Sequence, residues 1–346
     1  MSETDVLRGF ASPSAFHFPP IVNVNVLRGL CPCRCVHCPV GRTPRQLRKT
    51  RFDASQMEWT MFRRIVDEMA SQASRPVLRI HAVGEPTRWR NIRPAIATTH
   101  AAGVRTWLFT CATTRDQTLL GELCEHINII EISVNSTNAI DYYRTKGIDA
   151  FNLVATNINY MRKYIDCHSL PTRLIASRVQ SSNQAADEEF VAHWQATGLV
   201  DDAFVRSYHT YNHLLEELDS GKQTTACHEP CLVHWSRLNV DVDGSVVVCF
   251  NELFADHTQT SVVANLSTSS IQSVWKGTEL NSIRLAELRR DLTQLPLGIS
   301  VLPCKDCTTC QPLFGNNITS EHQVSALECI ERNTHNLSLQ NLEFRF

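Results

Sequence analysis

Four cysteines lie close together near the start of the chain, in the segment Cys31-Pro-Cys-Arg-Cys35-Val-His-Cys38. Cys31, Cys35 and Cys38 have the spacing CxxxCxxC, and a tight loop with this spacing can bring three thiolates to the irons of one [4Fe–4S] cube. The fourth iron would have no protein ligand and would be open to an exogenous one. The alternative from spacing alone is a zinc site that uses Cys33 or His37 as its fourth ligand.

Cysteine usage across the whole chain also favours metal chemistry. Ten of the 14 cysteines fall into two groups, one from Cys31 to Cys38 and the other from Cys227 to Cys310. In a reducing compartment, clustered cysteines hold metal or do chemistry more often than they form disulfides. The lone Cys111, Cys124 and Cys167 are predicted to be buried small apolar side chains.

Composition excludes several other classes of protein. The 346 residues are 43% hydrophobic and carry a formal net charge of -2, which is ordinary for a folded protein and predicts no general affinity for nucleic acid. The sequence has no apolar stretch of about 18 residues that would predict a membrane span. The N-terminus lacks the features of a signal peptide, so we expect a cytoplasmic location.

The elements that must position these cysteines alternate between strand and helix. Strands are predicted at 22–27, 77–83, 106–110, 127–135, 172–180 and 203–208. Helices are predicted at 59–73, 91–102, 116–125, 148–165 and 186–197, the first with a capping box formed by Ser55 and Glu58. This alternation indicates a parallel sheet wrapped by helices. Beyond it, Asp243-Gly244 predicts a hairpin over 236–249, and a helix is predicted at 271–290.

With these elements in place, the first half of the chain resembles the radical S-adenosylmethionine (AdoMet) superfamily. The signature of that family is CxxxCxΦC after the first strand, where Φ is usually aromatic and is His37 here. The family's Gly-Gly-Glu turn after the second strand corresponds to Gly84 and Glu85, preceded by a valine. A serine that ends the fourth strand corresponds to Ser133, with Asn135 as a weaker match. These residues are expected to contact AdoMet.

The C-terminal cysteines resemble a SPASM or twitch domain, the auxiliary-cluster module of many radical AdoMet enzymes. The resemblance rests on Cys231, on Gly244 five residues before Cys249, and on the terminal Cys304-Lys-Asp-Cys307. It implies one auxiliary [4Fe–4S] cluster with Cys231, Cys249, Cys304 and Cys307 as ligands, and Cys310 could replace one of the last pair. A zinc site built from the same thiolates is the alternative.

The resemblance implies a fold, a domain division and a chemistry. We expect a partial (β/α)₆ TIM-like barrel at 21–215, a small α+β cluster domain at 216–346 and an N-terminal extension at 1–20. The active site should lie at the C-terminal ends of the strands. In this family the reduced cluster donates an electron to AdoMet, and the 5′-deoxyadenosyl radical released takes a hydrogen atom from the substrate. An external flavodoxin- or ferredoxin-type donor is expected.

Substrate identity is less constrained than mechanism. Only about twenty residues precede the first strand, whereas peptide modifiers often carry a leader-binding domain there. This favours oxidation of a small polar, sugar- or aminocyclitol-type intermediate. The alternatives are a sugar epimerase, in which Cys227 or Cys310 would donate hydrogen, and a peptide-modifying maturase. From another class, the chain could be an iron–sulfur or zinc-binding protein that never cleaves AdoMet.

Overall fold

The computed structural model describes residues 17–206, 208–211, 213–216, 233–255 and 261–289. Six parallel strands form its core: β1 (Ile21–Arg28), β2 (Val77–Val83), β3 (Arg105–Thr110), β4 (Ile129–Ile132), β5 (Arg173–Val179) and β6 (Asp202–Arg206). They pair in chain order, each parallel to the next. The predicted α/β fold with a parallel sheet is therefore confirmed.

Three further strands extend this sheet beyond β1. They are β7 (Arg237–Val240), β8 (Ser245–Val247) and β9 (Val262–Asn265). The pair β7–β8 is the predicted antiparallel hairpin, and Gly244 in its turn has φ +84°, a conformation that glycine adopts at little cost. β7 pairs in parallel with β1, so nine strands form one sheet in the order β6-β5-β4-β3-β2-β1-β7-β8-β9.

Helices follow most of the parallel strands. In chain order they are α1 (Pro39–Arg42), α2 (Arg45–Phe52), α3 (Trp59–Ala70), α4 (Ile92–Ala101), α5 (Gln117–His126), α6 (Ala139–Lys146), α7 (Phe151–His168), α8 (Gln184–Ala196), α9 (Val233–Ser236), α10 (Ile271–Trp275) and α11 (Thr278–Arg289). The apolar residues of the larger helices and of one sheet face form the main core. None of the helices described is long and apolar enough to cross a membrane.

The face of the parallel strands that points away from the helices carries a second, smaller core. It consists of aromatic and charged side chains. Trp107 and Phe109 of β3 stack with their ring centroids 5.3 Å apart, and Phe204 belongs to the same cluster. The guanidinium of Arg79 lies 4.6 Å from each of the Trp107 and Phe109 ring centres. Because strand residues alternate between faces, these side chains line the inside of the partial barrel.

The predicted capping box at Ser55 is wrong. Helix α3 begins at Trp59 with Glu58 as its N-cap, and neither side chain caps the helix. The segment before it is held extended along β1, because Met57 N donates to Val26 O at 2.9 Å and Arg28 N donates to Ser55 O at 2.9 Å. Ser55 is therefore placed beside the sheet before the helix begins.

Other boundaries also differ from the predicted ones. Strand β4 is shorter than the predicted 127–135, and the predicted helix 271–290 breaks at Gly277 into α10 and α11. The predictions contained no counterpart of α1, α2 or α6, and all three pack beside the cysteine loop. Cys111 and Cys124 are buried as predicted, but Cys167 is exposed at the end of α7, so its prediction is wrong.

Candidate active site

The cysteine loop follows β1 directly, at the C-terminal end of the parallel strands. Cys35 is buried, whereas Cys31 and Cys38 are partly exposed, and all three line one pocket. The same pocket is lined by the turn after β2 and by the segment after β4, as expected for parallel strands that end at one edge. The structure thus brings the predicted site residues of the first half of the chain together.

One side of the cysteine loop is fastened to the C-terminal end of α6. Arg34 N donates to Lys146 O at 2.8 Å, and Val36 N donates to Thr145 O at 3.0 Å. The Arg34 guanidinium also reaches Gly147 O, at 3.1 Å from Nε and 2.9 Å from Nη2. These bonds satisfy carbonyls at the end of the helix that would otherwise have no partner. They also fix the backbone on both sides of Cys35, which lies between Arg34 and Val36.

The other side of the loop is held by Arg48 of α2, which is 5% exposed. Its guanidinium donates to Cys31 O at 2.9 Å, to Cys33 O at 3.0 Å and to Thr43 O at 3.1 Å. Arg48 belongs to a run of basic residues, and charge runs are usually solvated. Its burial shows that it instead binds the carbonyls of the cysteine loop.

The turn after β2 packs against the same loop so closely that residue 84 must be glycine. A Cβ on Gly84 would lie 2.6 Å from Leu30 O, well inside van der Waals contact. Two backbone hydrogen bonds join the segments, from Gly29 N to Val83 O at 2.7 Å and from Glu85 N to Leu30 O at 2.8 Å. The cysteine loop and this turn therefore form one rigid unit.

The carboxyl group of Glu85 points away from solvent and is fully engaged. It accepts hydrogen bonds from Thr110 Oγ1 at 2.6 Å, Cys111 N at 2.7 Å and Thr87 Oγ1 at 2.8 Å. Burial raises the pKa of Glu85 to about 8, although the donors from Cys111 and Thr110 favour the ionised form. The side chain joins the ends of β2 and β3, which leaves the backbone of the turn to meet a ligand.

Ser133 and Asn135 both line the pocket after β4. Asn135 is buried with φ +62°, and its Oδ1 accepts a hydrogen bond from Val179 N at 2.7 Å. Its Nδ2 is buried and has no partner among the residues that the structure describes. An unpaired buried donor is costly, so this amide is a more specific sign of a bound acceptor than the Ser133 hydroxyl.

Two further thiols, Cys33 and Cys111, adjoin the three predicted ligands. Hydrogen bonds from the Cys111 thiol and, to a smaller extent, from the Cys33 thiol lower the pKa of Cys31 to about 6. A hydrogen bond from Cys33 lowers the pKa of Cys35 well below its usual value, while burial raises the pKa of Cys38 to about 11. Cys111 was predicted only as a buried apolar residue, although it directly follows β3, whose C-terminal end lies at the cysteine loop.

The pocket continues into the barrel as a chamber with polar and aromatic walls. Its lining includes Arg79, His81, Glu131 and Arg206. Glu131 is completely buried and receives two bonds from Arg206, at 2.7 Å from Nε and 2.5 Å from Nη2. The imidazole of His81 stacks on Phe109 with ring centroids 3.8 Å apart.

The second cysteine group is only partly described. Cys249 follows β8 and begins the short 3₁₀ helix Phe250–Phe254, where its N–H donates to the buried Glu252 Oε2 at 3.0 Å. Phe250 and Phe254 of this turn line the chamber, so the hairpin reaches the site. The other predicted residues of this group lie outside the described residues: Cys227, Cys231, Cys304, Cys307 and Cys310.

Comparison with known proteins agrees with this geometry. A family model described as an iron–sulfur cluster-binding domain, SPASM, matches residues 231–311. No curated protein matches the chain.

Solved structures share its fold, and three of them illustrate the similarity. Streptococcus suis SuiB bound to the precursor peptide SuiA has a TM-score of 0.60 at 13% identity, over 81% of this chain and 69% of SuiB. The protein anSMEcpe with bound AdoMet has a TM-score of 0.57 at 12% identity, over 91% of this chain and 97% of the other. BtrN in complex with AdoMet and 2-DOIA has a TM-score of 0.50 at 14% identity, over 77% of this chain and 86% of BtrN.

The SPASM match indicates iron–sulfur cluster binding by residues 231–311, and the partial barrel has the fold of structures solved with bound AdoMet. The residues present fit these cofactors. Thiols converge on one pocket, and Asn135, whose Nδ2 has no partner among the described residues, lines the same pocket.

Proposed function

We propose that this chain is a radical AdoMet enzyme, with [4Fe–4S] clusters and AdoMet as its cofactors. We propose further that it oxidises a small polar substrate, of the sugar or aminocyclitol type, at one carbon that bears a hydroxyl or amino group. The observation that carries the proposal is the chamber beside the cysteine loop. Arg79, His81, Glu131 and Arg206 offer charged and hydrogen-bonding groups between aromatic walls. Small-molecule sites have this composition, with a few polar groups that fix the ligand's orientation in an otherwise apolar pocket.

The cofactor ligands proposed from the sequence complete this site. Cys31, Cys35 and Cys38 hold the cluster with the open iron, and Gly84, Glu85, Ser133 and Asn135 surround AdoMet, with His37 beside the cluster. In the C-terminal module, proposed to span 216–346 after the core at 21–215, one auxiliary cluster has these ligands: Cys231, Cys249, Cys304 and Cys307.

Each part of the chain has a separate task in the proposed reaction. When bound, the cofactors supply a hydrogen-abstracting radical and an acceptor for one electron. The substrate carbon loses a hydrogen atom and then an electron and a hydroxyl or amino proton, which leaves a C=O or C=N bond. Arg206, which is held in place by Glu131, orients the polar substrate, and the imidazole of His81 takes the proton.

Anaerobic reconstitution with iron, sulfide, AdoMet and dithionite tests the radical step, with 5′-deoxyadenosine as the product to be measured. The variants Cys31→Ala, Cys35→Ala and Cys38→Ala should each abolish that product. Undiminished 5′-deoxyadenosine from any one of them would remove the proposed ligand set.

Turnover in deuterated water tests the fate of the substrate. An oxidase gives no new carbon-bound deuterium at the reacting centre, once enolisation is allowed for, whereas an epimerase places one deuterium on an inverted carbon. Stoichiometric deuterium there would reject oxidation.

Epimerisation is the second candidate because a thiol already lies in the site. Cys111 lines the pocket and is not among the proposed cluster ligands. It would serve as hydrogen donor in place of the predicted Cys227 or Cys310. Cys111→Ala should then abolish deuterium incorporation, whereas an oxidase would keep its product.

The remaining partners follow from the same proposal. The SuiB structure contains a precursor peptide, so a peptide substrate is the competing choice, and turnover of peptides alone would defeat both small-molecule candidates.

An external donor of the flavodoxin or ferredoxin type supplies the electron, which suits a reducing, cytoplasmic location.

A further inference from the structure

Lys146, the last residue of α6, has an unusual position for a lysine. It is 2% exposed, and its side chain lines the pocket together with Cys33 and Cys35. Within the described residues, the structure gives its ammonium neither a hydrogen bond nor an ion pair. The backbone of the same residue is fixed, because its carbonyl accepts the hydrogen bond from Arg34 N at 2.8 Å. The lysine is therefore held against the cysteine loop by its own main chain.

An ammonium ion in this position needs an anion. A buried charge is strongly destabilising unless an opposite charge or hydrogen bonds compensate it, and lysine is almost never buried unpaired. The thiols of Cys33 and Cys35, which line the same pocket, can supply that opposite charge when they are ionised.

A second polar group without a partner lies one turn earlier on the same helix. Tyr142 is completely buried, and its hydroxyl has no hydrogen-bond partner among the described residues. Residues four apart share one face of a helix, so Tyr142 and Lys146 face the same side. The phenol is a donor on the face of α6 that also carries Lys146.

The anion that matches both groups is the cluster at the loop. Three thiolates outweigh the positive charge of a cubane core, and reduction makes the cluster more negative still. Charge and hydrogen bonds around the sulfurs are among the factors that set the reduction potential of such a cluster.

We propose that Lys146 is a positioning residue whose ammonium lies against the radical-generating cluster, retains it and stabilises its reduced state, with the Tyr142 hydroxyl as a weaker donor beside it. The inference rests on the proposed ligand set Cys31, Cys35 and Cys38. It assigns a role to α6, which otherwise only braces the loop.

The test is a potentiometric titration of the reconstituted enzyme followed by electron paramagnetic resonance. The signal that changes when AdoMet is added identifies the cluster at the loop. In Lys146→Met the ratio of reduced to oxidised cluster at a fixed potential should fall about tenfold, which is 59 mV for a one-electron couple. Lys146→Arg should restore the ratio, and Tyr142→Phe should shift it less in the same direction. Lys163→Met removes an exposed lysine of α7 and should change nothing.

Each outcome decides a definite point. If Lys146→Met does not fold, Lys146→Gln compared with Lys146→Arg tests the charge at similar length. An unchanged potential in the uncharged variants overturns the inference. So does an unchanged potential with weakened AdoMet binding, since the partner would then be the AdoMet carboxylate. If the triple alanine variant at Cys31, Cys35 and Cys38 keeps the AdoMet-sensitive signal, the proposed ligand set itself fails.

Discussion

The side chain of Asn135 illustrates how one residue can be committed to the backbone at one end and open to a ligand at the other. Its Oδ1 is used by Val179 N, while its Nδ2 lies in the pocket lining without a partner among the described residues. Asparagine also tolerates the left-handed backbone that this position requires, at φ +62°. The residue is therefore suited both to shape the end of β4 and to donate to AdoMet.

We predict that Asn135→Asp weakens AdoMet binding about tenfold or more, because it removes the donor and keeps the acceptor for Val179. Equilibrium binding of AdoMet to the reconstituted protein measures the effect. Asn138→Asp is the matched control, since Asn138 is an exposed helix N-cap where aspartate serves equally well. Equal AdoMet affinities of the wild type and Asn135→Asp would contradict this role for Asn135 and leave Ser133 as the proposed AdoMet contact after β4.

The buried carboxyl of Glu85 makes a prediction about pH. Its pKa is raised to about 8 in the folded chain, so between pH 5 and pH 8 the folded state holds a proton that the unfolded state has lost. Stability therefore falls as pH rises through this window, by on the order of a few kcal/mol. Glu85→Gln should flatten that decline. Urea denaturation of the cluster-free protein at several pH values checks it, and parallel pH profiles for the two proteins would contradict it.

At the scale of elements, strand and helix periodicity was enough to predict the six parallel strands and the larger helices. It failed for α6, whose eight residues are too few to show a clear apolar periodicity, although its end signals were present. Asn138 caps its start and Gly147 ends it with φ +66°. This helix positions the cysteine loop through hydrogen bonds from Arg34 and Val36, which are distant from it in sequence. A local sequence pattern cannot reveal such contacts.

The same limit applies within the site. The cysteine spacing, Gly84 and Ser133 could be recognised because they follow strand ends in chain order. Arg48 could not, because its role depends on which backbone segments meet at the loop. Cys111 also follows a strand end, but nothing in its spacing linked it to the first cysteine group. A buried arginine looks like any other basic residue until the carbonyls that surround it are known.

Gly147 offers a test of the junction between α6 and the cysteine loop. A Cβ there would lie 2.8 Å from Arg34 O, and its φ of +66° also disfavours other residues. Gly198 is the matched control, with φ +65° but no atom within 4 Å of an added Cβ.

Both Gly→Ala variants should therefore lose about 1 kcal/mol of stability from the backbone, and Gly147→Ala should lose more. Only Gly147→Ala should also lower the iron retained at the loop. Iron analysis and urea denaturation of both variants measure the difference, and equal iron contents would show that the junction does not position the cysteines.

At the scale of the whole molecule, the C-terminal hairpin is joined to the barrel sheet by the parallel pairing of β7 with β1. The Cys249 turn that follows it borders the same chamber as the cysteine loop. Two iron–sulfur sites would thus approach one substrate space from two sides. This arrangement suits an oxidation, in which a hydrogen atom leaves toward one site and an electron toward the other.

The arrangement predicts two clusters in one chain, about eight irons in the fully reconstituted protein. The triple variant Cys31→Ala, Cys35→Ala and Cys38→Ala should retain about four irons, because the auxiliary ligands are untouched. Cys249→Ala should instead deplete the auxiliary cluster and spare the signal that responds to AdoMet. Iron and zinc analysis together with absorbance spectra separates the cases. Zinc in the triple variant, or no iron there, would replace the auxiliary cluster by a structural metal and leave the proposed oxidation without its electron acceptor.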